Sequence, residues 1–235
     1  MGRNDPLKTQ NIAIMKNLLT ITVLGLSQIL FAQISKNVGD FTKVTSFDKI
    51  EVLLVQANEN KIELSGNGAD EVELINNNGE LKIRMPLSKI LSGENVTAKV
   101  FYKKIIAVEA NEGSRIAAEN TINAIGFDVI AKEGATISLN LQAKKLQSKI
   151  SSGAIVDLEG KVQNHESLVN SGAILNAKKL QTSQTTITVN AGGEVEVSAS
   201  DYVNAKVRAG GNILIFGKPK QIDQKTILGG SIRQN

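Results

Sequence analysis

A recurring glycine divides the second half of this chain into copies of one short unit, and this repeat constrains the fold more than any other feature. The residue directly after each glycine is always small, from Ser114 in the first copy to Gly230 in the last. Such regularity is typical of a chain that builds its core by stacking similar units. The glycines, with successive spacings of 21, 19, 19, 20, 18 and 19 residues, are Gly113, Gly134, Gly153, Gly172, Gly192, Gly210 and Gly229.

Apolar residues alternate on both sides of each glycine. The third residue before it and the fifth after it are mostly apolar, as with Val169 and Ala177 around Gly172. Alternation with a period of two predicts strands, and a glycine between two strands predicts a tight corner. The third residue after the glycine is branched and apolar in every copy: Ile116, Ile137, Val156, Leu175, Val195, Ile213 and Ile232.

These features predict an all-β fold, a single-domain right-handed parallel β-helix or β-solenoid with coils of about 19 residues. We expect one domain over residues 33–235, with the clearest repeats at 105–235. Each coil would contain a strand, the glycine corner, a second strand and a looser return of variable length. The small residue after the glycine would let the backbone turn without a side chain in the way. With 6 phenylalanines, 2 tyrosines and no tryptophan, the core must be built from aliphatic residues.

Residues 33–104 are rich in strand patterns but lack the glycine column. They are interpreted either as less regular coils or as a cap, since the end of a solenoid must blunt an exposed strand edge. Residues 85–94, which include Pro86 and Gly93, are the expected long loop.

The N-terminal region has the three parts of a signal peptide. A short basic start at Met15 and Lys16 precedes a mostly apolar run over residues 18–31, and the small residue Ala32 follows. We expect residues 15–32 to be a signal peptide cleaved after Ala32, and residues 1–14 to be an upstream extension. Removing residues 1–32 lowers the formal net charge from +4 to about +2. Such a balance favours neither nucleic-acid binding nor a polybasic membrane patch.

The composition excludes several kinds of chemistry. Without cysteine there is no disulfide, no thiolate metal site, no cysteine nucleophile and no cysteine that could carry a lipid. A single histidine excludes a multi-histidine metal centre. We therefore expect no catalytic residue, no cofactor and no metal ligand.

An enzyme remains an alternative, because a β-helix that cleaves polysaccharides needs carboxylates gathered on one face. Glu194 and Glu196 flank Val195 and would point to the same side of a strand. A solvated strand has the same pattern, and His165 has no nucleophile at a recognisable spacing and is interpreted as a half-buried or corner residue. The candidates are Asp128, Asp157, Glu159, Glu194, Glu196, Asp201, Arg208 and His165.

Several segments together resemble the head GIN domain family of putative auto-transporter adhesins, exported proteins of Bacteroidetes-type bacteria. The resemblance covers residues 40–234 and rests on the segments at 47–52 (FDKIEV) and 98–102 (AKVFY), the Ser-Gly-Ala corners, the segment at 210–219 (GGNILIFGKP) and the closing GGSI at 229–232. It implies a β-helical envelope protein and brings no catalytic residues. The chain has Lys103 and Lys104 where many relatives have a proline-containing segment near position 103.

Three hypotheses follow. The leading one is a non-catalytic exported module of the periplasm, outer membrane or cell surface that acts as an adhesin or scaffold. Its partner would be a cell-surface protein or a glycan, not nucleic acid, and self-association through the ends or faces of the solenoid is a further expectation. A polysaccharide lyase or hydrolase is the second. A self-assembling scaffold resembling bactofilins is the third, and the signal peptide counts against it.

Overall fold

The computed structural model describes residues 34–235. The expected signal peptide and upstream extension therefore lie outside the described residues. Over residues 34–235, no helix is long and apolar enough to cross a membrane.

The described residues form one continuous sheet of 17 strands, wound into a β-solenoid. The first nine strands are short, and most belong to the region that lacks the glycine column. They are β1 (Ile34–Asn37), β2 (Lys43–Ser46), β3 (Glu51–Gln56), β4 (Lys61–Gly66), β5 (Glu73–Asn77), β6 (Glu80–Arg84), β7 (Val96–Tyr102), β8 (Ala107–Ala110) and β9 (Arg115–Ala118).

The next strand, β10, completes the coil that β9 begins, the four strands after it run almost from one glycine corner to the next, and the last three strands are shorter. These strands are β10 (Ile122–Ala131), β11 (Thr136–Ile150), β12 (Ile155–Asn170), β13 (Ile174–Asn190), β14 (Glu194–Val207), β15 (Asn212–Phe216), β16 (Gln221–Thr226) and β17 (Ser231–Gln234). Successive coils pair in parallel. A strand of this length that starts at one corner and ends at the next must bend to close its coil.

The predicted columns align in the stack. Ile137 pairs with both Ile116 and Val156, and Leu175 pairs with both Val156 and Val195. All five side chains are buried. The β-solenoid with coils of about 19 residues is thus confirmed, and the alternation of the sequence is the alternation between its core and its surface.

Each regular corner is a tight turn with two consecutive residues in the left-handed region. At the corner between β11 and β12, Ser152 has φ 55° and Gly153 has φ 72°, and the amide of Ala154 donates to the carbonyl of Ser151 at 3.2 Å. Two positive φ values are the geometry of a type I′ turn. The small residue after the glycine has a different role from the expected one, because Ala154 points into the core and is fully buried.

A corner without glycine continues the same column into residues 33–104. Asp48 and Lys49 have φ 59° and 65°, and the amide of Ile50 donates to the carbonyl of Phe47 at 3.2 Å. Strands β2 and β3 flank this corner and pair in parallel with β8 and β9, respectively. The chain therefore enters the solenoid at β2 and β3.

The remaining N-terminal strands cover the outer side of that first coil. Strands β6 and β7 pair in parallel with β2 and β3, whereas β4 pairs antiparallel with β7, and β1 pairs antiparallel with β4. Residues 85–95 form the expected loop between β6 and β7. The buried carboxylate of Asp48 holds this loop because it accepts hydrogen bonds from the backbone amides of Met85 at 3.0 Å and Leu91 at 2.9 Å.

The last coil differs from the others in its inward positions. Gln224, Thr226 and Gln234 continue columns that hold Ala205, Val207 and Ile215 in the preceding coil. Polar side chains therefore occupy column positions in this coil that are apolar in the coil before it.

Candidate binding groove

A groove of about 1260 Å³ runs along the side of the solenoid where β10 to β14 bend. Its floor is a ladder of small or short side chains, one from each coil. The ladder comprises Ala124, Ala143, Val162, Thr182 and Ala199. Small side chains leave room for the strands to bend and make the groove deeper.

Thr182 is the one polar member of this floor. Its hydroxyl donates to the carbonyl of Ser198 at 2.8 Å and lies 2.7 Å from the hydroxyl of Thr185. The hydrogen bonds of Thr182 tie β13 to β14 beneath the groove. Because Thr182 and Thr185 are both buried, each hydroxyl needs such a partner.

Side chains that are polar except for Ile125 flank the floor on both sides. The residues just before the floor positions are Asn123, Gln142, Lys161, Gln181 and Ser198. The residues just after them are Ile125, Lys144, Gln163, Ser183 and Ser200. Amides and hydroxyls both donate and accept hydrogen bonds, so the walls offer a mixed set of polar contacts along the solenoid axis.

The charge of the groove has one sign. Of the residues that the structure describes, Lys104, Lys144, Lys161 and Lys218 line it, and no aspartate or glutamate does. Among residues 34–235, none of these four ammonium groups forms an ion pair. The groove therefore carries four unneutralised positive charges.

Differences in coil length are absorbed next to this groove. The pairing of β13 with β14 shifts between Ala177 and Gln181 and again between Thr182 and Gln184. The predicted return of variable length is found here, and each shift moves the polar side chains of one coil relative to those of the next.

The candidate acids do not come together. Glu194 pairs in the ladder with Ile174 and Asn212, and Glu196 pairs with Asn176 and Leu214. The carboxylate of Glu196 also lies 3.3 Å from the ammonium group of Lys178. No candidate acid lines the groove.

The other candidates are equally dispersed. Asp157 accepts a hydrogen bond from the side chain of Asn176 at 2.8 Å. Lys220 lies 2.7 Å from Asp201, and its hydrogen bond lowers the pKa of that carboxyl. Asp128 pairs in the ladder with Ala107 and Gln147. Glu159 pairs with Asn140 and Lys179. Arg208 is exposed beside a corner. Over residues 34–235, no three histidine or acidic side chains are grouped as a metal site.

His165 lies in the solenoid interior, which differs from the half-buried or corner position expected for it. Its side chain is 2% exposed and stands in the core column between Leu146 and Thr185. Burial lowers its pKa to about 4. A histidine sealed in the core cannot reach a substrate on the surface.

The fold and the groove define this molecule as a β-solenoid with a long, positively charged surface groove. The family described as putative auto-transporter adhesin, head GIN domain, matches residues 40–219, and the chain belongs to this family. The description of the family implies an exported protein and gives no enzymatic activity.

Solved structures have the same fold at low sequence identity. A putative adhesin from Bacteroides fragilis is 16% identical, with a TM-score of 0.81, over 86% of this chain and 96% of the other. A putative adhesin from Parabacteroides distasonis is 19% identical, with a TM-score of 0.72, over 87% and 96% of the two chains. A protein from the same organism described as a putative lipid binding protein is 14% identical, with a TM-score of 0.67, over 86% and 96%. No curated protein matches the chain significantly.

Proposed function

We propose that this protein is a non-catalytic exported module of the cell envelope or surface that binds its partner in the groove, as an adhesin or scaffold does. The groove carries this proposal. Its length, its polar walls and its four unpaired lysines make a surface on which a ligand could be held at many points. The family description supports export and adhesion as the setting.

The rigid floor suits binding. Each floor strand from β11 to β13 pairs with a neighbour on both sides, and the floor side chains pack against the core or are hydrogen-bonded. A site on a continuous sheet is held in one shape, so ordering the site costs little free energy when the ligand binds.

The arrangement of acids supports a non-catalytic role. General acid-base cleavage requires two carboxyl groups placed around one bond, and a ligand in this groove would meet lysines, amides and hydroxyls instead. The buried imidazole of His165 lies on the other side of the sheet wall.

Attachment of the purified exported chain to intact cells and to isolated outer membranes tests the groove. Gln163→Trp places a bulky ring on an exposed groove position of β12, and Glu166→Trp places the same ring on an exposed position of the same strand outside the groove. We expect Gln163→Trp to abolish attachment and Glu166→Trp to retain it. Equal attachment by the two variants would contradict a role for the groove.

Export is tested separately by cell fractionation with N-terminal sequencing. We expect a chain that begins at Gln33 in the envelope or the medium. A full-length chain in the cytoplasm would contradict the proposal.

A further inference from the structure

We propose that the ligand of the groove is a linear, negatively charged polysaccharide, with carboxylate or sulfate groups, that lies along the solenoid axis. This inference rests on the proposed function, since it names the ligand class of the same groove. The chemistry of the lining residues and the pairing of the floor strands carry it.

The positive charges follow the axis. Lys104 precedes the coil of β8 and β9, Lys144 lies on β11, Lys161 lies on β12, and Lys218 follows β15. Strands β10 to β14 alone give a floor about 20 Å long at the usual strand spacing. A polymer with anionic groups at intervals could meet several of these ammonium groups, whereas a single small anion would meet one or two.

The uncharged wall residues suit sugar hydroxyls. Asn123, Gln142 and Gln181 on one wall and Gln163 on the other can donate and accept hydrogen bonds. No phenylalanine or tyrosine of the described part of the chain lines the groove, so these residues offer no ring on which a sugar could stack. Charge and hydrogen bonds are then the sources of affinity, which favours an anionic glycan over a neutral one.

The backbone of the floor disfavours a peptide ligand. An extended peptide commonly binds by adding a strand to a free sheet edge. Strands β11, β12 and β13 have no free edge, because each is paired with the coil before and the coil after it. A peptide would have to bind through side chains alone.

Titration calorimetry on the purified exported chain tests the ligand class with four probes: polygalacturonate, dextran sulfate, unmodified dextran and poly-glutamate. We expect binding of at least one anionic glycan, weakened by added salt, and no binding of dextran. Dextran sulfate and dextran share one backbone, so the difference between their affinities isolates the effect of the sulfate groups.

Matched charge variants locate the binding. Lys144→Gln with Lys161→Gln removes two charges from the groove and should weaken glycan binding about tenfold. Lys149→Gln with Lys225→Gln removes two exposed charges outside the groove and should leave the affinity unchanged. Circular dichroism and thermal melting verify that both variants fold.

Four results would overturn the inference. They are an equal loss in the two charge variants, dextran binding as tight as that of the polyanions, poly-glutamate binding more tightly than either anionic glycan, and no binding of any polyanion. If no polyanion binds while Gln163→Trp still abolishes attachment to cells, the ligand class is wrong and the proposed function stands. If Gln163→Trp also has no effect, the proposed function fails.

Discussion

Ser148 on β11 and His165 on β12 meet inside the solenoid, where the hydroxyl of Ser148 lies 3.0 Å from Nε2 of the imidazole. The same hydroxyl donates to the hydroxyl of Ser167 at 2.7 Å. Ser148 has only one hydrogen to donate, so Nε2 must carry the ring hydrogen and donate to Ser148. Nδ1 is then a buried acceptor, and no group among residues 34–235 is its partner.

Replacing this imidazole by an apolar side chain should stabilise the protein. The column of His165 holds Leu146 and Phe127 in the preceding coils, so the interior accepts a large apolar residue there. His165→Leu removes the unpaired Nδ1 and leaves Ser148 bonded to Ser167. We expect the free energy of unfolding at pH 7, measured by urea denaturation, to rise by about 1 kcal/mol. A decrease would mean that the bond to Ser148 contributes more than the unpaired nitrogen costs.

The same histidine should make stability fall in mild acid. Its pKa is about 4 in the folded chain, below the ordinary value of 6.5, because burial disfavours the charged ring. The unfolded chain therefore binds the proton first as the pH falls. Protonation of His165 therefore leaves the free energy of unfolding unchanged above pH 6.5 and lowers it progressively as the pH falls from 6.5 to about 4.

The difference in unfolding free energy between the wild type and His165→Leu isolates this effect. It should widen by roughly 3 kcal/mol from pH 7 to pH 4, in favour of the variant. A difference that stays constant over this range would show that the imidazole titrates normally in the folded chain.

The core columns should tolerate truncation poorly. Leu175 is fully buried between Val156 and Val195, so Leu175→Ala should lower the free energy of unfolding by roughly 2 to 5 kcal/mol. Leu168 lies between two inward positions and is only partly buried, so Leu168→Ala should cost less. Near-zero losses for alanine at positions 156, 175 and 195 in denaturant melts would contradict the observed register.

These columns could be predicted because the column that contains Leu175 is apolar in every coil, which leaves a period in the sequence. The corner at Asp48 and Lys49 has no such periodic signal in the sequence. Asp48 and Lys49 adopt positive φ without a glycine, and the turn is held by the side chain of Asp48, whose partners Met85 and Leu91 are far away in sequence. Contacts at that range have no local pattern, so this coil could be seen only in the structure.

The sequence does not predict the groove, for a related reason. The strands that form its floor show the usual alternation of inward and outward residues. The wall positions, however, hold a different residue in each coil, as Asn123, Gln142 and Lys161 show. Two of its lysines, Lys104 and Lys218, lie in segments outside the regular strands. The sequence contained a weak signal, a run of small residues midway between corner glycines, but the register shifts in β13 and β14 obscure it.

The corner glycines should differ in how costly they are to replace. Gly172 has φ 68°, and an added Cβ would meet no atom within 4 Å. Gly172→Ala should therefore cost only the backbone strain, about 1 to 2 kcal/mol. Gly211 has φ 110°, and an added Cβ would lie 2.6 Å from the carbonyl oxygen of Gly193. Gly211→Ala should cost clearly more, and a smaller loss than that of Gly172→Ala in urea melts would contradict this account.

The purified exported chain should bind glycans without cleaving them. Glu194 is exposed, Glu196 is ion-paired with Lys178, and neither lines the groove in which a polysaccharide would lie. Cleavage by two carboxyl groups needs both at the scissile bond. We therefore expect no new reducing ends or unsaturated products from uronate or neutral polysaccharides, with or without calcium. Reproducible turnover that Glu194→Gln or Glu196→Gln abolishes, with the fold intact by circular dichroism, would show that this acidic face is an active site.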